Sequence, residues 1–170
     1  MILESAPILP GQTAHEAGRA LLERMYQTHT GKPLPDIAIA PRGKPYFTDN
    51  SVHFSISHTR SRVFCALSEV PVGIDAEEQN RNINLHLADK ILSDFERAQF
   101  HRASDPRLAL LTFWVLKEAA AKCTGEGLRG YPEKAHFSLD DPRVTIMDGH
   151  LVAVITQENA YVVRYPRPHG

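Results

Sequence analysis

Only two cysteines, Cys65 and Cys123, occur in 170 residues, too few to suggest a disulfide framework or a thiolate metal site. Each lies in an apolar run, so both read as buried thiols in a reducing cytoplasm. Net charge is nearly absent too: 19 Lys and Arg against 20 Asp and Glu leave −1 at pH 7. That balance gives no case for a nucleic-acid or polyanion binder. No apolar run reaches the ~18 residues of a membrane-spanning helix. The opening MILESAPILP lacks the basic start and apolar core of a signal peptide, so a cytoplasmic protein is expected. What is present is the make-up of an ordinary soluble protein, 42% hydrophobic and 23% charged. The length suits one domain, or two small lobes sharing a core.

The longest helical pattern opens at Asp105, a capping residue, with Pro106 in the first-turn position that proline tolerates. No breaker follows until Gly125, the expected stop. At 100° per residue, Phe113, Leu116, Ala119, Ala120 and Cys123 form the core stripe. Trp114, Lys117, Glu118, Ala121 and Lys122 form the other. Two ammonium groups, a carboxylate and an indole on one stripe suit a bound anion and its metal. They equally suit a solvated face in which Glu118 and Lys122 make an i,i+4 pair.

The rest of the chain reads as short strands and capped helices. Met1 to Pro10 supplies a first strand. Thr13 and Glu16 form a capping box opening a helix to about Thr28, with Ala17, Leu21, Leu22 and Met25 buried. Asp36 to Ala40 reads as a strand, and Pro41 to Pro45 as a turn whose amides and Lys44 can approach a phosphate. Val52 to His58 alternates, with Phe54 and Ile56 on one face and His53, Ser55 and Ser57 on a wet face. Ser57 and His58 can donate hydrogen bonds to phosphate oxygens. Val63 to Leu67 and Val70 to Glu77 read as strands joined by a hairpin turn at Ser68 and Glu69.

In the second of these, Val72, Ile74 and Ala76 face the core and Gly73, Asp75 and Glu77 face away. Carboxylates at i and i+2 lie about 7 Å apart on one strand face. That spacing makes either an exposed acidic strand end or a site shared by a hard divalent cation. Asn80 to Leu92 turns helical near Leu85. Ser93 and Glu96 form a second capping box, opening a helix through about His101 and giving Glu96 a structural duty. Ala135 to Leu139, Val144 to Met147, Leu151 to Thr156 and Tyr161 to Tyr165 read as strands, with a hairpin turn at Asp148 and Gly149. The class is α+β with antiparallel strands.

In chain order the sequence carries RGKPYF, FSISHT, VGIDAEE, FWVLKEAAAK and GEGL. This series resembles the 4′-phosphopantetheinyl transferases, particularly the larger single-chain class. Their patterns run GKP, F-x-x-SH, GxDxE and W-x-x-KEA-x-x-K, then a glycine-rich turn. The match extends from about Arg42 to Leu128, and the paired GxDxE and WxxKEAxxK are its specific part. The resemblance implies two similar halves, each an antiparallel sheet with packed helices: residues 1–68, then 69–165 carrying the metal site, then a tail at 166–170.

It also implies a reaction. Coenzyme A would donate its 4′-phosphopantetheine arm to a serine of an apo carrier protein of acyl, peptidyl or polyketide type, releasing adenosine 3′,5′-bisphosphate. Asp75, Glu77 and Glu118 would bind Mg²⁺. Lys117 and Lys122 would meet pyrophosphate charge, while Arg42, Lys44, Ser57 and His58 would contact coenzyme A phosphates. Trp114 would steady the metal-bearing helix. Glu118, Glu96 or a metal-bound water would be the general base, so Glu118, Lys122, Glu96 and Lys117 form the expected catalytic set. No nucleic acid or membrane is expected as partner, and a pseudo-dimeric chain would act as a monomer. The rival readings are a non-catalytic relative binding coenzyme A or a carrier protein, and a Mg²⁺-dependent pyrophosphate hydrolase using the same acids. In one respect the chain departs from the pattern. Larger members place basic residues before the first helix to hold the 3′-phosphate, whereas MILESAPILPGQTAHEAG contains no Lys or Arg.

Overall fold

The structure, a computed structural model, describes residues 1–127 and 136–158. Strand β1 (Ile2–Pro7) leads to helix α1 (Ala14–Thr30). Short strands β2 (Ile37–Ile39) and β3 (Pro45–Phe47) then form an antiparallel hairpin. Strands β4 (His53–His58), β5 (Arg62–Ser68) and β6 (Val72–Glu78) follow. A 3₁₀ turn at Leu85–Leu87 and the single-turn α2 (Ala88–Ile91) lead to α3 (Asp94–Arg102) and the long α4 (Pro106–Thr124). Strands β7 (Val144–Met147) and β8 (His150–Thr156) close the described fold.

The helix ends form where their caps dictate. Thr13 and Ser93 each accept a hydrogen bond from the amide three residues on, and Glu16 and Glu96 bond back to the cap amides, completing both boxes. Asp105 Oδ1 accepts from Leu108 N at 3.0 Å, and Pro106 occupies the first turn of α4. At the far end Gly125 takes φ +73°, a left-handed conformation that glycine adopts without a Cβ clash.

Two three-stranded antiparallel sheets organise the chain, in the orders β1-β5-β4 and β6-β8-β7. Val63, Cys65 and Leu67 of β5 pack with Leu21, Leu22 and Met25 of α1. Phe64 and Ala66, on the opposite face of β5, join Val72, Ile74, Val152 and Val154 between the sheets. On the other side of β8, Leu151, Ala153 and Ile155 pack against α4. The layers therefore run helix, sheet, sheet, helix, which is the expected α+β class with antiparallel strands.

Several local expectations are corrected. The segments around Ser68 and Glu69 do not form a hairpin, because β5 already pairs with β1 and β4 on its two edges and offers β6 none. The chain instead crosses to the second sheet, where β6 pairs with β8 from Val72↔Thr156 to Glu78↔His150. Residues 136–139 are irregular rather than a strand, and Phe137 is buried in the α4 cluster. Strand β3 begins at Pro45, where the sequence alone predicts only a turn. The expected strand at Tyr161 to Tyr165, the tail at 166–170, Leu128 and Ala135 lie outside the described residues.

Ser55 and Ser57 also depart from expectation: both are buried, not on a wet face. Ser55 Oγ accepts from Ile74 N at 3.1 Å, and Ser57 Oγ from Ala76 N at 3.2 Å. Both contacts advance in the same chain direction, so β4 and β6 run parallel, and side-chain hydroxyls replace a backbone ladder between two edge strands. Burying edge amides without such acceptors would leave orphaned donors.

Gly73 sits where β6 meets α4. A Cβ there would lie 1.9 Å from Ala119 O and 2.3 Å from Cys123 N, both helix backbone atoms that cannot swing aside. Gly73→Ala should therefore force helix from strand and lower stability by about 3 kcal/mol, the upper range for overpacking. Urea denaturation measures this; a midpoint equal to wild type would show that the contact is slack.

Candidate active site

The close contact of β6 and α4 carries Asp75 of the strand to Glu118 and Lys122 of the helix. Asp75 is 6% exposed. Its Oδ1 accepts from Lys122 Nζ at 2.7 Å and from Ser57 Oγ at 3.0 Å. Its Oδ2 is buried with no hydrogen-bond partner. Burial pushes the Asp75 carboxyl above its ordinary range, although Lys122 and Ser57 act the other way. Half-buried Glu118 is raised as well, by burial first and then by the negative charge of Asp75.

Glu118 and Lys122 border a cleft of about 440 Å³, and Asp75, bonded to Lys122, is buried outside its lining. Glu118, Ala121 and Lys122 come from α4, Ser55 and Ile56 from β4, and Arg42, Gly43 and Lys44 from the β2–β3 turn. That turn is pinned by Lys44, whose ammonium donates to Cys123 O at 2.5 Å and lies 3.4 Å from Val72 O. Lys44 thus caps the carbonyl end of α4, where a cation is favoured. Partial burial lowers its basicity. Arg42 is exposed at the cleft edge.

Not every expected residue reaches the cleft. Lys117 is 2% exposed and Glu96 0%. They form an ion pair at 2.8 Å that ties α4 to α3, with the Phe137 ring 5.7 Å from the ammonium. Glu96 also accepts from Ser93 N and Phe137 N. Lys117 Nζ makes no aligned hydrogen bond, so the pair is held by charge, and burial lowers the lysine's basicity. Lys117 and Glu96 are thus paired with each other, and neither lines the cleft. Helix α4 is buried around most of its circumference, leaving its Glu118, Ala121 and Lys122 edge at the cleft. Trp114, on the same arc as Lys117, is partly buried against the helix cluster.

Ser57 is occupied by Asp75 and Ala76, and His58 lies exposed at the end of β4, away from the cleft lining. Glu77 pairs with Arg81, four residues along. Asp75, Glu77 and Glu118 therefore do not converge, and among the described residues no group of three His, Cys, Asp or Glu is arranged around a metal position. Asp75 and Glu118 nevertheless fit a hard divalent cation: both offer carboxylate oxygens, and Asp75 Oδ2 lacks any partner. Reading the sequence overlooked Ser55 as a cleft residue and Arg81 as the partner of Glu77. A glycine inside a strand, at Gly73, was the available signal for close backbone approach.

The profile of the 4′-phosphopantetheinyl transferase superfamily matches residues 71–164, which hold β6, α4 and the acids just described. The chain belongs to this superfamily. It is 36% identical over 128 residues to the 4′-phosphopantetheinyl transferase AcpT of Escherichia coli O157:H7, covering 72% of this chain and 63% of that protein. Against the 4′-phosphopantetheinyl transferase gsp of Aneurinibacillus migulanus it is 35% identical over 92 residues, 51% of this chain and 36% of that one. Against the 4′-phosphopantetheinyl transferase Sfp of Bacillus subtilis it is 30% identical over 115 residues, 65% and 49% respectively. The chain thus spans from about a third to under two thirds of these phosphopantetheinyl transferases. No helix among its described residues is long and apolar enough to cross a membrane.

Two consequences are measurable. Lys117→Met strands a buried carboxylate and should cost about 3 kcal/mol in urea denaturation; a variant as stable as wild type would mean that Glu96 tolerates losing its cation. Asp75 and Glu118 give a pH signature in the metal-free chain. Because their folded-state carboxyls are raised, the native state holds more protons than the unfolded chain, and stability falls as pH rises through the folded-state values. Asp75→Asn should therefore melt higher than wild type at pH 8 in chelator, with the gain vanishing below the ordinary carboxylate range. An equal melting difference at both pH values would contradict this.

Proposed function

We propose that this chain transfers the 4′-phosphopantetheine arm of coenzyme A to a serine hydroxyl of an apo carrier protein, of acyl, peptidyl or polyketide type, releasing adenosine 3′,5′-bisphosphate. The observation that carries this reading is a cleft edged by Arg42 and Lys44 and lined by Glu118 and Lys122, with Lys122 bonded to buried Asp75, in a chain of this superfamily. Cations and carboxylates in one half-enclosed cleft suit a diphosphate whose charge grows at the bridging oxygen during transfer.

The residues divide the work by position. Arg42, Lys44 and Lys122 attract the diphosphate. Lys44 has two carbonyl contacts already, leaving part of its donor capacity for a phosphate oxygen. Ser57 orients Asp75 rather than the ligand, and exposed His58 is available to a phosphate lying beyond the cleft. Asp75 and Glu118 would hold Mg²⁺, joined by Glu77 once it leaves Arg81. When bound, that ion would neutralise the diphosphate and favour departure of the nucleotide.

Glu118 is the better general base of the two glutamates. It borders the cleft, whereas Glu96 is enclosed and paired. It would take the serine proton as the serine oxygen bonds to the phosphorus bearing pantetheine. The bond from that phosphorus to the bridging oxygen breaks, and the electron pair leaves on the nucleotide.

By the same reading the two sheets with their long helices are the two halves of a pseudo-dimer, dividing at the crossover after residue 68, and the chain works as a cytoplasmic monomer. Neither nucleic acid nor membrane has a part in it.

The test incubates the protein with coenzyme A, Mg²⁺ and several apo carrier proteins and follows carrier mass. Wild type should add one phosphopantetheine per carrier. Asp75→Ala and Glu118→Ala should lose at least about 10²-fold in rate, the scale for removing one transition-state contact. Full turnover in excess chelator would sink the reading. Coenzyme A cleavage without carrier modification would favour a hydrolase.

A further inference from the structure

Lys122 serves two places at once. Its ammonium bonds Asp75 Oδ1 at 2.7 Å, while its side chain also lines the cleft with Glu118 and is about one third exposed. Asp75 uses only one oxygen for this pair and for Ser57; the other is buried and free. The third acid, Glu77, is held by a different cation, Arg81. Two of the three acids attributed to the metal site, Asp75 and Glu77, are thus each bonded by a basic side chain.

We propose that Lys122 is a built-in counter-cation for the divalent-metal site. It neutralises Asp75 when no metal is bound and is displaced into the cleft when the metal enters. This deepens the function proposed above and rests on it for the nature of the ion. The physical basis is charge in a half-buried site. Two carboxylates near one another need a positive partner, and a monovalent ammonium supplies less charge than a divalent ion. Lysine suits exchange because it is a compact charge on a flexible stem; an arginine fork would be held in one geometry. Displacement also has a directional result. The cleft gains an unpaired ammonium only once its acids are neutralised by another cation, so anion attraction rises with metal occupancy.

The experiment titrates the full chain with Mn²⁺ at pH 8, without coenzyme A or carrier, by calorimetry or by the paramagnetic resonance of free Mn²⁺. Removing the competitor should tighten binding. Lys122→Met is expected to bind Mn²⁺ about tenfold tighter than wild type, equivalent to about 1.4 kcal/mol. Lys122→Gln provides the same reading if the methionine variant does not fold. Lys122→Arg, which keeps the positive charge, should bind no more tightly than wild type, and Asp75→Asn should bind far more weakly. Affinity in Lys122→Met and Lys122→Gln equal to or below wild type would overturn the proposal, as would tightening in Lys122→Arg or no Mn²⁺ binding by any form. The outcome separates from that of the transfer assay. Transfer by wild type with unaltered Mn²⁺ affinity in the variants removes the counter-cation and keeps the enzyme. Tighter binding in a chain that modifies no carrier keeps the counter-cation and removes the enzyme.

Discussion

The contact of strand β6 with helix α4 at Gly73 is the constraint on which the rest depends. Hydrogen at that Cα lets helix backbone lie directly on strand backbone, with Ala119 and Cys123 filling what would be side-chain space. Asp75 is the next residue on the same strand face, so the same approach drives its carboxylate into the helix edge bearing Glu118 and Lys122. A bulkier residue at 73 would widen the gap, admit water between strand and helix, and weaken every charge interaction there. Site chemistry and core packing are therefore one feature seen at two positions.

Helix α4 carries two lysines five residues apart with opposite fates. Lys117 is sealed against α3, pairs with Glu96 and contributes order: the pair joins α3, α4 and the backbone at Phe137. Lys122 remains partly exposed at the cleft, and its bond to Asp75 is open to exchange. The difference is burial. A fully enclosed pair has no alternative partner and breaks only at the cost of an unpaired charge, whereas a pair at a cleft edge can pass one member to solvent or ligand.

The two sheets meet through serine hydroxyls as well as apolar side chains. Ser55 and Ser57 accept the β6 amides that would otherwise be buried without partners, and Ser57 then passes a hydrogen bond to Asp75. The interface between sheets is thus wired into the acid of the candidate metal site. Lys44 adds a second tie, holding the β2–β3 turn against the end of α4 and keeping Arg42 at the cleft edge.

The sequence by itself determined the caps, the core stripe of α4 and most strands; the meeting of the acidic strand with the Lys-Glu-bearing helix followed only from the family resemblance. These rest on local chemistry: the capping boxes of Thr13 and Ser93, the stop at Gly125, and alternation along β4. Family membership was legible for the same reason, since its motifs are short and contiguous. Tertiary structure alone decided which polar residues face the cleft. Whether Lys117 points to ligand or to Glu96 depends on what covers α4, and Ser55 and Ser57 are wet or buried according to whether a second sheet lies against β4. Likewise β6 left β5 because both edges of β5 were taken, and β8, which it joined instead, lies more than seventy residues along the chain. Periodicity reports which side of an element differs from the other; only packing says what lies opposite each side.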